Sequence, residues 1–121
     1  MHPKAIVIVE DSAPIAELIK ETLSEIPGYS AVTVDNGAEA LAVIAQVQAD
    51  LVILDYHLPG LTGIEIYDQL RDRVGEMMPA VLFVSAAIPQ QELTERGIES
   101  YLHKPFDLEH LHQAVAALLA D

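Results

Sequence analysis

The chain has no cysteine and no tryptophan among its 121 residues. Without cysteine there can be no disulfide framework, no thiolate metal site and no thiol nucleophile. Basic residues are scarce: 6 Lys+Arg stand against 19 Asp+Glu, a formal net charge of -13. A surface this acidic repels phosphate backbones, so direct nucleic-acid binding is not expected. A protein partner with a basic contact face fits better, although most of these charges need no role beyond solvation. No apolar run approaches the roughly 20 residues that a bilayer span requires. Met1-His-Pro-Lys4 leads straight into an apolar run without a leader pattern. No membrane association is expected, and the default location is the cytoplasm.

What is present is a hydrophobic fraction of 51%, enough to exclude disorder despite the charge. A single domain over residues 1–121 is expected, with no linker, repeat or low-complexity tract. Short apolar runs alternate with helical patterns along the whole chain. The runs Ala5–Val9, Leu51–Leu54, Ala80–Val84 and Ser100–His103, with a less apolar one at about 30–34, read as strands of a parallel sheet. The less apolar run suits an edge.

Between them, Ser12 is placed to cap a helix with Ile15, Leu18, Ile19, Thr22 and Leu23 on one stripe, ended by Pro27-Gly28. A second helix after Asp35-Asn36-Gly37 turns Leu41, Ile44 and Val47 inward, and a third over about 64–74 presents Tyr67, Leu70 and Val74. Residues 89–96 allow only a short fourth helix, ended by Gly97. Asp107 is placed to cap a fifth, with Leu108, Leu111, Val115, Leu118 and Leu119 inward. The fold class is therefore α/β, a doubly wound (βα)5 unit with a five-stranded parallel sheet and helices on both faces.

In such a sheet the carboxyl ends of the strands share one edge, where ligands bind. Glu10-Asp11, Asp55 and Ser85 each close an apolar run, and Lys104 follows another. These residues should converge on one acidic pocket. The Asp55 carboxylate can attack an electrophilic phosphorus and form an acyl phosphate. Glu10 and Asp11 add negative charge beside it, which calls for a cation, and hard oxygen ligands suit Mg²⁺. Lys104 offers an ammonium to pair with Asp55 and then with a phosphoryl oxygen. Ser85 can donate a hydroxyl hydrogen bond to the same group.

Taken in order, Val9-Glu10-Asp11, Leu54-Asp55 with Leu58-Pro59-Gly60 and Gly63, Ser85-Ala86, and Tyr101-Leu-His-Lys104-Pro105-Phe106 resemble the receiver domains of two-component response regulators. The resemblance covers the whole chain and implies a flavodoxin-like fold of the chemotaxis-regulator type. It implies Asp55 as phosphoacceptor, with Lys104 and Ser85 assisting. Asp11 and Asp55 would ligate Mg²⁺ directly, Glu10 through a water, and the backbone carbonyl of His57 would add a ligand. It also implies a cis Lys104-Pro105 bond, a switch made by Ser85 and Tyr101, and Ala87 at the mouth of the site. The implied donor is the phosphohistidine of a sensor histidine kinase or a histidine phosphotransfer protein. The output would be a downstream protein target or a fused output domain, and a homodimer remains open.

One departure bears on this reading. From Ser85 to Lys104 the chain is shorter than most receivers by roughly one helical turn, which falls on helix four and the surface through which family members signal. Three rival readings stand against it. A Mg²⁺-dependent phosphohydrolase would want a second acid two residues after the nucleophile, where this chain has His57. A module that is never phosphorylated would not need the full acidic pocket. A Rossmann nucleotide site lacks its Gly-rich loop after strand one. On this reading the chain is a switch that phosphorylates and dephosphorylates itself, not a turnover enzyme.

Overall fold

The computed structural model describes residues 2–87 and 89–120, with Glu76 described by its backbone alone. Met1 and Asp121, the ends of the expected domain, lie outside the described residues. The strands are β1 (Lys4–Val9), β2 (Tyr29–Val34), β3 (Leu51–Asp55), β4 (Ala80–Ser85) and β5 (Tyr101–His103). They pair in parallel in the order β2-β1-β3-β4-β5. The helices are α1 (Ala13–Ser24), α2 (Gly37–Val47), α3 (Gly63–Val74), α4 (Gln90–Glu95) and α5 (Leu108–Leu119), with one 3-10 turn at Gly75–Met77. No helix among the described residues is long and apolar enough to cross a membrane.

The period of two along the strands sends alternate side chains to opposite faces. Val7, Val9, Val52, Leu54 and Phe83 pack on one face against α2, α3 and Leu93 of α4. Ile6, Ile8, Leu51, Ile53, Leu82 and Val84 pack on the other against α1 and α5. Burial on both sides is why β1 and β3 read as unbroken Val/Ile/Leu runs. Each such side chain contributes about 1.5–3 kcal/mol. The chain winds outward from β1 to β2 and then returns past β1 to β3. The reversal lies between the carboxyl ends of β1 and β3, where Glu10, Asp11 and Asp55 stand.

Caps fix where the helices start. Asn36 Oδ1 accepts from the Glu39 amide at 2.9 Å, and Asp107 Oδ1 from the His110 amide at 2.7 Å. Thr62 and Glu65 form a reciprocal capping box at the start of α3.

Three expected inward residues prove exposed: Leu18 at 48%, Val47 at 39% and Leu108 at 40%. In α1 the buried arc runs through Ala16, Ile19 and Leu23, and Leu18 stands one residue, about 100°, off it. Val47 and Leu108 sit in the terminal turns of their helices, beyond the sheet surface that covers Leu41 and Ile44 or Leu111 and Val115. Ser12 occupies the N-cap position of α1 but makes no side-chain capping bond. Its amide instead donates to Glu10 Oε2 at 3.1 Å. Helix α4 is short, as the sequence suggested, at six residues.

Candidate functional site

Asp55 ends the central strand, and only 4% of it is exposed. Its neighbour across the switch point, Glu10, is 2% exposed. Lys104 reaches both from the segment after β5: its Nζ donates to Glu10 Oε1 at 2.5 Å and to Asp55 Oδ2 at 3.1 Å. The remaining oxygens are also served. Glu10 Oε2 accepts from the Ser12 amide, and Asp55 Oδ1 from the His57 amide at 3.1 Å. Two buried carboxylates thus share one ammonium and hold one backbone donor each. Among the described residues, no buried side-chain polar atom lacks a partner.

The electrostatics follow from this crowding. Burial pushes the Glu10 carboxyl up to about 6, with the Asp55 charge adding and the Lys104 ammonium and Ser12 amide opposing. For Lys104 burial works against the charge, but the hydrogen bonds to Glu10 and Asp55 outweigh it and hold the ammonium above its usual value. An excess of negative charge therefore persists even with Lys104 in place. Asp11, exposed at the mouth, adds more.

Carboxylate oxygens of Glu10, Asp11 and Asp55 all lie within 4.8 Å of one another, an all-oxygen donor set that can hold a metal ion. Hard donors with one open, solvent-facing side fit a small divalent cation that keeps waters. An open cleft of about 350 Å³ adjoins them, lined by Glu10, Asp11, Glu17, Thr33, Asp35 and Glu39.

The other residues singled out in the sequence fall around this centre. Ser85 ends β4 and is 1% exposed. Its Oγ donates to the Ala87 carbonyl at 3.2 Å and accepts from the Ala87 amide at 3.3 Å. The Lys104-Pro105 peptide is cis. The His57 side chain is exposed, its ring edge-on to Tyr56 at 4.8 Å. Tyr101 lies half-buried on β5, opposite Phe83 in register and edge-on to His103 at 5.8 Å. It stands outside the carboxylate cluster. His110 pairs with its own cap, Asp107, at 3.2 Å, and takes no part in the cluster.

Sequence reasoning placed Lys104 against Asp55 but missed its closer contact to Glu10. The signal was available, since β1 is a direct neighbour of β3 and both strands end in acids. It also missed two ties on α4. The Tyr56 hydroxyl donates to Glu92 Oε2 at 3.0 Å, and Arg96 grips both oxygens of Asp68 at 2.8 and 2.7 Å. Burial and the Glu92 carboxylate raise the Tyr56 pKa.

Comparison with known proteins agrees with this geometry. The family model for the response regulator receiver domain matches residues 6–116. The chain is 35% identical over 122 residues to the phosphate regulon transcriptional regulatory protein PhoB of Pseudomonas aeruginosa, covering 98% of this chain and 53% of that protein. It is 34% identical over 119 residues to the response regulator MprA of a Mycobacterium species, covering 97% and 51%. The chain therefore spans about half the length of the curated relatives it matches. Among solved structures it superposes on the Vibrio cholerae chemotaxis protein CheY4 with a TM-score of 0.87 at 28% identity, covering 97% of this chain and 99% of that one. On the Francisella response regulator 1452 receiver domain the TM-score is 0.82 at 28% identity, covering 95% of each. With the strand order, the acidic cluster at the switch point and the family match over nearly its whole length, the chain belongs to the response regulator receiver domains, phosphoacceptor switches rather than turnover enzymes.

Proposed function

We propose that Asp55 is the phosphoacceptor and takes its phosphoryl group from a phosphohistidine on a sensor histidine kinase or a histidine phosphotransfer protein. The observation that carries this is the Asp55 carboxylate itself, at the end of the central strand, flanked by an ammonium and by two further acids. An Asp55 oxygen attacks phosphorus as the phosphorus–nitrogen bond of the donor breaks. The bonding pair leaves with the imidazole. Lys104, freed from part of its pairing with Asp55, then balances a phosphoryl oxygen. Ser85 offers its hydroxyl to another once it releases Ala87. Later, water attacks phosphorus and the bond to Asp55 breaks. Inorganic phosphate leaves, the Asp55 carboxylate is restored, and the water's proton passes to solvent.

The acidic cluster fits Mg²⁺; Asp11 and Asp55 would hold the ion directly, Glu10 through a water, and the His57 carbonyl would add a ligand. When bound, the ion neutralises the acids and draws charge from the phosphoryl oxygens. Inward rotation of Tyr101 would then report the state of Asp55 at the surface. The target of that surface is a downstream protein or a fused output domain, and a homodimer is one form the response can take. The cytoplasm is the proposed location, and the acidic surface argues against nucleic-acid contact by this chain itself.

The test is intact mass after incubation with acetyl phosphate and Mg²⁺, beside Asp55→Asn. One phosphoryl adduct, dependent on Mg²⁺ and absent from the variant, is the expected result. No adduct, together with no response of the pocket to beryllofluoride, would refute the reading in favour of a silent interaction module.

A further inference from the structure

Helix α4 is too short to be stable by itself. Six residues cannot repay the cost of nucleating a helix, so its order must come from what it touches. Its one buried side chain is Leu93, 1% exposed. Three polar ties do the rest. At its far end, Arg96 grips Asp68 of α3 through two bonds and donates to its own helix at the Glu92 carbonyl, 3.0 Å away. At its entry, Ser85 Oγ folds the chain into a turn by bonding both polar groups of the Ala87 backbone. On its inner side, Glu92 accepts from the Tyr56 hydroxyl at 3.0 Å.

Two of these ties start from the phosphoacceptor region. Ser85 ends the strand beside Asp55, and Tyr56 is the next residue after it. The Tyr56 backbone is fixed, its amide donating to Val84 and its carbonyl accepting from Gly63 at 2.7 Å. Its hydroxyl ties Glu92 to this anchored stretch of backbone. If Ser85 turns toward a phosphoryl group it gives up both bonds to Ala87, two residues before Pro89, the N-cap of α4. The helix can then move only if Glu92 leaves Tyr56.

We propose that the Tyr56–Glu92 hydrogen bond is a latch that holds α4 in its resting position and opens when Asp55 carries a phosphoryl group. The proposal rests on the reading of Asp55 given above. It makes the short helix a switched element, with its threshold set by one tyrosine hydroxyl. The Asp68–Arg96 pair, remote from Asp55, is the hinge about which the released helix stays attached.

Hydrogen exchange at the α4 amides tests this in the full chain, with Mg²⁺ and with or without beryllofluoride as the phosphoryl mimic. In the wild type, beryllofluoride should speed exchange at residues 90–97. Tyr56→Phe should exchange about five- to tenfold faster than wild type at rest, the value of one hydrogen bond to a charged acceptor that is partly solvated. Beryllofluoride should then add little. Glu92→Ala should behave the same way, and the double variant should go no further than either. Arg96→Gln separates coupling from simple loosening, because it should raise exchange in both states by the same factor and keep the beryllofluoride response.

A Tyr56→Phe chain with wild-type exchange at rest, or with the full beryllofluoride response, overturns the latch. Intact mass of wild type and Tyr56→Phe after acetyl phosphate tells the two levels apart. An adduct on both without an α4 response removes the latch alone. No adduct on the wild type, together with no beryllofluoride response of the pocket, removes the Asp55 reading and the latch with it.

Discussion

Gly63 is where the fold and the site meet most closely, and Gly63→Ala measures how tightly. The residue opens α3 and lies against the strand end that carries Asp55. A Cβ there would stand 2.6 Å from the Asp55 carbonyl oxygen, 3.0 Å from Tyr56 Cα and 3.1 Å from Phe83 Cε1. A relaxed carbon–oxygen contact is about 3.3 Å, so something must move by roughly 0.7 Å. Two of the three neighbours are backbone and the third is a fully packed ring, so none can swing aside. Overpacking of this kind costs about 1–3 kcal/mol, here toward the upper end. The better helix propensity of alanine returns at most about 1 kcal/mol. The net expectation is a loss of about 2 kcal/mol in urea unfolding, the difference of those two terms.

The displaced atoms belong to Asp55 and Tyr56, so the chemistry should suffer with the stability. Misplacing a reacting group by about 1 Å can cost on the order of 10²-fold. The rate of adduct formation from acetyl phosphate should accordingly fall at least about tenfold. Gly60→Ala is the control. Its φ of +84° strains any other residue, but nothing lies within 4 Å of a Cβ there. That variant should lose about 1 kcal/mol through its backbone alone and keep the rate. A Gly63→Ala chain with wild-type stability and rate would refute the packing argument.

Other outcomes follow from the same structure. Lys104→Met strips two buried carboxylates of their shared ammonium, so in EDTA it should cost about 2–4 kcal/mol in urea unfolding; added Mg²⁺ should restore part of that loss, and a variant as stable as wild type in EDTA would contradict the pairing. Phe83→Ala empties a site 1% exposed between α3 and the sheet, with an expected loss of about 3–5 kcal/mol, checked by the same unfolding curve. Arg96 holds the Asp68 carboxyl below its usual 3.8, so the folded chain keeps that charge after the unfolded chain has lost it. The contribution is full above 3.8 and disappears as the pH falls through the lower folded value. The pair is partly exposed and screened, so Asp68→Asn should cost at most about 1 kcal/mol at neutral pH, with the gap to wild type closing in acid.

Much of the molecule could be read before its structure. Runs such as Ile6-Val7-Ile8-Val9 and Leu51-Val52-Ile53-Leu54 are legible because a strand covered on both faces tolerates no polar residue. The acids and hydroxyl that end those runs are legible for the same reason: a polar residue after four apolar ones must lie where the sheet surfaces. Parallel pairing then brings them together whatever the loops do. Side-chain direction on the helices was less legible. Leu18 stands about 100° round α1 from the buried Ile19, yet a bulky residue invites the inward placement that the smaller Ala16 takes.

Least legible were pairings between helices and loops. Glu92 and Tyr56 are 36 residues apart, Arg96 and Asp68 are 28 apart, and both contacts depend on where a short α4 docks. No periodicity encodes that docking. It follows from one leucine, Leu93, and from the loops on either side. The grip of Lys104 on Glu10 was hidden by a simpler cause, since two acids compete for one ammonium and the sequence alone does not rank them.

Finding the modified residue decides whether the phosphoryl group rides on one carboxylate. Borohydride reduces an acyl phosphate to an alcohol, so an aspartyl phosphate becomes homoserine, which peptide mass spectrometry locates. After acetyl phosphate, Mg²⁺ and borohydride, homoserine should appear at position 55 and nowhere else. Homoserine at position 11, or a phosphoryl group found on Ser85 or on a histidine while Asp55 stays intact, would contradict it.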